Sequence, residues 1–255
     1  MNNAIKNLQV LWILVKRDYA LQFAGSLLGI LWMLIQSLSL ISIYTFVFFI
    51  LNKSSNLPNS KLDYSSYIFS GLLFWIPLQE MLIRGVSILT DNRQLIKRSS
   101  LGVNLFLWIP FLQMIIHSFV ISIPVFIVLL WSGSLDYRFF FFSYPIILIT
   151  GLYLMLVLEY LARVNILLKD ISPIMRLLSQ IIFWTLPVLY FPSGVLREVN
   201  LYNPFIIPLD VFRFLVLKDY SIQFPVLIFI FPLSFFVLVF FLTRFKLDEV
   251  VMDHL

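Results

Sequence analysis

The chain has 255 residues, 61% of them hydrophobic and 12% charged, with 18 Lys and Arg against 13 Asp and Glu for a net charge of +5. An ordinary soluble domain is about 45–50% apolar and about 25% charged, so a soluble fold would leave large apolar patches in water. A bilayer needs only about 20 apolar residues per helical crossing, and the composition predicts an all-α polytopic membrane protein with room for six crossings and no cytosolic catalytic domain.

Over residues 1–22, Ile5, Leu8, Trp12, Val15 and Tyr19 recur three and four apart, while Lys6, Gln9, Lys16, Arg17 and Asp18 fall largely elsewhere on the wheel. This predicts an amphipathic helix on the membrane surface. A signal peptide is the rival, but Lys16-Arg17-Asp18 follows the apolar run where small residues should stand. Residues 25–51 carry no charge and reach about 40 Å as a helix, enough for a first crossing with tilt.

A polar loop over 52–63 precedes a second crossing at 64–86, and 87–104 reads as a polar, basic loop. The third crossing, 105–131, contains Pro110 and Pro124, which are expected to kink the helix and leave carbonyls that neighbouring helices must satisfy. A short loop leads to the fourth crossing at 139–160, a basic loop over 161–172, and a shorter fifth crossing at 173–190. The segment 191–221 is too polar to span and too apolar for a solvated loop, with Pro192, Gly194, Pro204 and Pro208 dividing it. Two short re-entrant helices are expected there, and a sixth crossing at 222–243 before a charged tail.

An even number of crossings puts both termini on one side. With that side cytoplasmic, Lys6, Lys16, Arg17, Arg84, Arg93, Lys97, Arg98, Arg163, Lys169, Arg176, Arg244 and Lys246 lie inside. Only Lys53, Lys61, Arg138, Arg197, Arg213 and Lys218 lie outside. The excess favours cytoplasmic termini. The basic balance is thus loop charge that orients the chain, not a nucleic-acid surface.

Catalytic chemistry has little to work with. There is no cysteine, and the two histidines, His117 and His254, are far apart. No metal cluster, catalytic triad or thiol chemistry is expected. No phosphate-binding loop is present, so ATP hydrolysis must reside elsewhere. His117 reads as a packed polar residue, with a proton relay as the sharper alternative. Glu80 with Arg84 and Glu159 with Arg163 place a carboxylate four residues before a guanidinium. Such intramembrane pairs either neutralise charge or line a substrate path. Gly25 and Gly29 form a G-x-x-x-G that would allow close helix contact. Asn52-Lys53-Ser54 matches a glycosylation sequon and is discounted. Tyr190, Phe191, Tyr202, Phe205, Phe212 and Phe214 concentrate around the dipping segment, where rings could meet sugar faces or simply anchor the interface.

Three segments, residues 19–48, 67–103 and 162–188 followed by Tyr202-Asn203-Pro204, resemble the type-2 ABC transporter permeases that export polysaccharide. The resemblance implies a subunit that moves O-antigen, capsule or teichoic-acid chains on a lipid anchor across the bacterial plasma membrane. It further implies two such permeases, a second copy of the chain being the expected partner, working with two copies of a cytoplasmic ATPase that holds ATP and Mg. No cofactor would be bound by this chain. The family's coupling helix maps to 91–100, with Asp91, Arg93, Leu95, Ile96, Lys97 and Arg98 meeting the ATPase. Ser99 and Ser100 stand where many relatives have an aliphatic residue and proline. The two gate helices of the family map to 193–216. A drug or lipid exporter of the same fold is the nearest alternative. A membrane-embedded lipid-linked glycosyl or acyl transferase is the alternative from another class, disfavoured because Asp136, Glu198, Asp210 and Asp219 stand singly in apolar surroundings.

Overall fold

The computed structural model describes residues 2–53, 64–98, 102–136 and 140–224. Among them the regular elements are helices: α1 (Asn2–Gln22), α2 (Leu31–Lys53), α3 (Tyr64–Asp91), α4 (Arg93–Arg98), α5 (Val103–Trp131), α6 (Tyr144–Leu167), α7 (Ile171–Thr185), α8 (Gly194–Asn200) and α9 (Ile206–Val216). A 3-10 turn, Phe140–Ser143, leads into α6, and one isolated bridge joins Leu135 to Leu217. Three helical stretches are long and apolar enough to cross a membrane, Tyr64–Asp91, Val103–Trp131 and Phe140–Leu167, and Leu31–Tyr44 is a shorter apolar helix. Most of the expected sixth crossing, the charged tail and His254 lie outside the described residues.

Several boundaries differ from those the sequence suggests, each for a local reason. The first apolar run does not enter its helix until Leu31, because Gly25 (φ 76°) and Gly29 (φ 54°) turn the chain through the left-handed region. These glycines therefore make turns rather than a helix-packing face. The expected loop over 87–104 is largely helical. Ile88 and Leu89 extend the buried stripe of Leu82 and Val86, so α3 continues to Asp91. In the same way Leu158, Ala162 and Asn165 carry the buried face of α6 through the expected basic loop to Leu167. The expected fifth crossing, α7, stops early, at Thr185. Leu186 precedes Pro187 and is extended (ψ 138°), as the proline ring demands of the residue before it. Pro110 and Pro124 both sit inside an unbroken α5.

The hub is α3, which packs against α2, α5, α6, α7 and α9. Tyr67, Ile68, Leu72, Phe74, Trp75, Leu78 and Val86 on it are fully buried. Close approach depends on two glycines: a Cβ at Gly85 would stand 2.6 Å from Leu158 Cδ1, and one at Gly71 2.5 Å from the Arg213 guanidinium. The surface helix α1 lies against α5. Its buried face is Leu11, Leu14, Val15, Asp18 and Tyr19, whereas Leu8 and Trp12 are exposed and Lys16 lies over the Trp12 ring. The expected stripe is thus divided, Val15 and Tyr19 facing the bundle while Leu8 and Trp12 face outward.

Candidate functional site

The short helix α4 follows directly on α3. Asn92 makes the joint: its carbonyl accepts the amides of Leu95 and Ile96 at 3.0 Å, and its side-chain amide donates to the Ile88 carbonyl at 2.9 Å. Asp91, Arg93, Lys97 and Arg98 are exposed. Leu95 is half-buried and Ile96 is buried in the chain's own core with Leu11, Leu14 and Phe106. Ile96 therefore holds α4 to the bundle, and the surface left for another protein is the charged one.

Beside α4 the two-residue step Arg17-Asp18 on α1 reaches in two directions. Arg17 Nη2 donates to Asn92 Oδ1. Asp18 accepts from Arg84 of α3 and, at 2.7 Å, from Gln113 Nε2 of α5. Arg84 also donates to Gln22, and Glu80 lies 3.8 Å from it. The Glu80 carboxylate lies against His117 Nδ1, and His117 Nε2 is 2.8 Å from Ser37 Oγ on α2. Tyr19 donates to the Gln113 carbonyl at 3.4 Å. Burial pushes the Tyr19 hydroxyl far above its ordinary value, so it keeps its proton throughout the physiological range. A string of polar contacts thus joins α4, α1, α3, α5 and α2 through otherwise apolar packing. The i,i+4 spacing of Glu80 and Arg84 was legible in the sequence, but their stronger partners, His117 and Asp18, come from other helices.

The second expected pair is looser. Glu159 and Arg163 stand 4.0 Å apart, and Arg163 is fixed instead by the Glu159 carbonyl and by Asn104 Oδ1, each at 2.8 Å. It ties the end of α6 to the start of α5.

At the far end of α3, a buried guanidinium organises the segment before the expected sixth crossing. Arg213 of α9 donates to the carbonyls of Pro187 (2.7 Å), Val188 (3.1 Å) and Tyr67 (3.2 Å), and its guanidinium lies 3.5 Å from the Tyr67 ring centroid. Its side chain has no carboxylate partner among the described residues. Carbonyl oxygens and a ring face balance the charge instead. Tyr67 donates to the carbonyls of Pro187 and Tyr190, and Tyr64 to that of Leu189. One turn earlier on α9, Asp210 accepts from the Tyr220 hydroxyl and from the amides of Gln223 (2.8 Å) and Phe224 (3.0 Å).

The aromatic residues singled out in the sequence fall into three groups. Phe205 and Phe212 are buried, Phe205 edge-on to Trp75 and Phe212 against Phe74. Tyr190 and Phe191 are half-buried, Tyr190 donating to the Thr185 carbonyl and the Phe191 ring tilted against that of Tyr67 with centroids 4.3 Å apart. Tyr202 and Phe214 are exposed. The sequence placed Arg17 and Asp18 only on the polar side of the first helix and Arg213 only among the outer charges, and it did not single out Asn92 or Gln113. A polar residue within an apolar run was the available signal for Gln113 and Arg213, and the contacts that join these five residues to other helices are all distant in sequence.

No family model matches the sequence. The O-antigen export system permease protein RfbA of Myxococcus xanthus is 27% identical over 188 residues, covering 72% of this chain and 69% of that protein. That similarity agrees with the resemblance to type-2 ABC export permeases read from the sequence. With three helices long and apolar enough to cross a membrane among its described residues, the chain has the make-up of an integral membrane protein.

Proposed function

We propose that this chain is the membrane subunit of an exporter that moves a lipid-linked polysaccharide, such as an O-antigen, capsule or teichoic-acid chain, across the bacterial plasma membrane. The observation that carries the reading is the similarity to an O-antigen export permease over 188 residues. Supporting it, α4 offers a charged face on a helix clamped to the bundle, a suitable seat for a separate ATPase subunit. Hydrolysis of ATP with Mg belongs to that subunit. Two copies of the permease with two of the ATPase would build the conduit between them, with both termini cytoplasmic, six crossings, and α8 and α9 dipping from the outer side. Tyr202 and Phe214 are then the rings available to a passing glycan, while Phe205 and Phe212 hold the gate helices in place. Glu80, Arg84, Glu159 and Arg163 neutralise one another and their neighbours within the bundle.

The reading is tested by reconstituting the chain with its ATPase in proteoliposomes and following ATP-dependent movement of a lipid-linked glycan. Export that requires both subunits supports it; robust nucleotide hydrolysis by the isolated chain, free of motor, would sink it. Reversing Arg93, Lys97 and Arg98 to Glu is expected to weaken ATPase association about tenfold or more, while membrane insertion stays intact.

A further inference from the structure

Asn92 links two transmission routes. Through its backbone it closes the joint between α3 and α4. Through its side-chain oxygen it receives Arg17, whose neighbour Asp18 is bound to Arg84 and Gln113. Asn92 is 5% exposed and Asp18 9%, so water does not compete well for these bonds. Breaking the Arg17–Asn92 bond would strand a buried carbonyl oxygen beside a guanidinium whose Nε already lacks a partner. A load applied to α4 therefore reaches the membrane-buried residues by two paths: straight along α3, and sideways through the surface helix α1.

From this geometry we infer that Arg17 and Asn92 are positioning residues that make α1 and α4 move as one body, so that the surface helix, through Asp18, delivers motor movement to Arg84, Glu80, His117 and Ser37. The inference rests on the export reading above. Under it, α1 is a lever attached to the coupling helix, not a passive float on the lipid. Severing the Arg17–Asn92 bond leaves α4 able to seat the ATPase, because Asp91, Arg93, Lys97 and Arg98 are untouched. Replacing both side chains removes the sideways route and the Asn92 side-chain bond to Ile88 but keeps the main-chain bonds of the α3–α4 joint, and so lowers the glycan moved per ATP hydrolysed. The decisive measurement is one in which the link is broken and remade.

The absence of native cysteine makes that possible. The Arg17→Cys/Asn92→Cys variant is reconstituted with the ATPase, and glycan export and ATP hydrolysis are measured together before and after bridging with a short reducible bis-methanethiosulfonate linker. Wild-type export in the same vesicles tests the export reading; its absence would overturn that reading and this inference together. Given wild-type export, the unbridged variant is expected to bind the ATPase normally and hydrolyse ATP while moving about tenfold less glycan per ATP. Bridging should restore the ratio to near wild type, and reducing agent should remove the gain, which also shows the variant to be folded. Wild-type coupling in the unbridged variant, or bridging that leaves export low or stops it, would overturn the inference and leave the export reading standing.

Discussion

Two ends of α3 handle buried charge in opposite ways. Near Arg84 the carboxylates are met by side chains, Asp18 by Arg84 and Glu80 by His117, each partner arriving on a different helix. Near Tyr67 the Arg213 guanidinium is held by three main-chain carbonyls and a ring. The Arg84 pairing is exchangeable, since Gln22 and Glu80 are alternative acceptors within its reach. A cradle of backbone carbonyls cannot be rearranged without moving the helices that carry it. The first design suits a junction that shifts, the second an anchor that does not.

The contrast can be broken most directly at the anchor. Arg213→Met removes the donor to three carbonyls at once, and about 3 kcal/mol or more of stability should be lost, read as a lowered unfolding midpoint in detergent micelles. Next comes Gly71→Ala, whose new Cβ would stand 2.5 Å from the Arg213 guanidinium and 3.1 Å from Val188. About 2 kcal/mol should be lost by overpacking, in the same assay. At the junction, Asp18→Asn keeps the shape and removes one charge from a group with other acceptors, so a smaller loss of about 1 kcal/mol is expected. Should Asp18→Asn prove as damaging as Arg213→Met, the distinction between a shifting junction and a fixed anchor falls. The smallest effect belongs to Glu159→Gln. Arg163 retains the Glu159 carbonyl and Asn104, and the 4.0 Å carboxylate contact should be worth no more than about 0.5 kcal/mol. Equal losses for Glu159→Gln and Asp18→Asn would mean that the number of helices joined does not matter.

The all-helical class and the membrane setting were legible in the sequence because both depend on composition and on apolar run length, which are properties of consecutive residues. The approximate place of α5, the division of 191–221 by its prolines, and the polar interest of Glu80 and Arg84 came from the same local signals. Helix ends were less legible. Ser87–Asp91 looks like a loop until Ile88 and Leu89 are seen to have a core to enter, and Gly25 and Gly29 look like a packing motif until their positive φ is known.

What only the tertiary structure decided is which polar groups meet. Asp18 and Arg84 are 66 residues apart in sequence, Arg17 and Asn92 are 75, and Arg213 reaches a Tyr67 carbonyl 146 residues away. Burial of a charge is unfavourable until a partner is supplied, and in a bundle that partner comes from whichever helix packs alongside. Hydrophobic periodicity tells a helix which face to bury but not against what. Pairing is set by how α1, α5 and α9 crowd around α3, and that depends on side-chain shape along the whole length of the bundle.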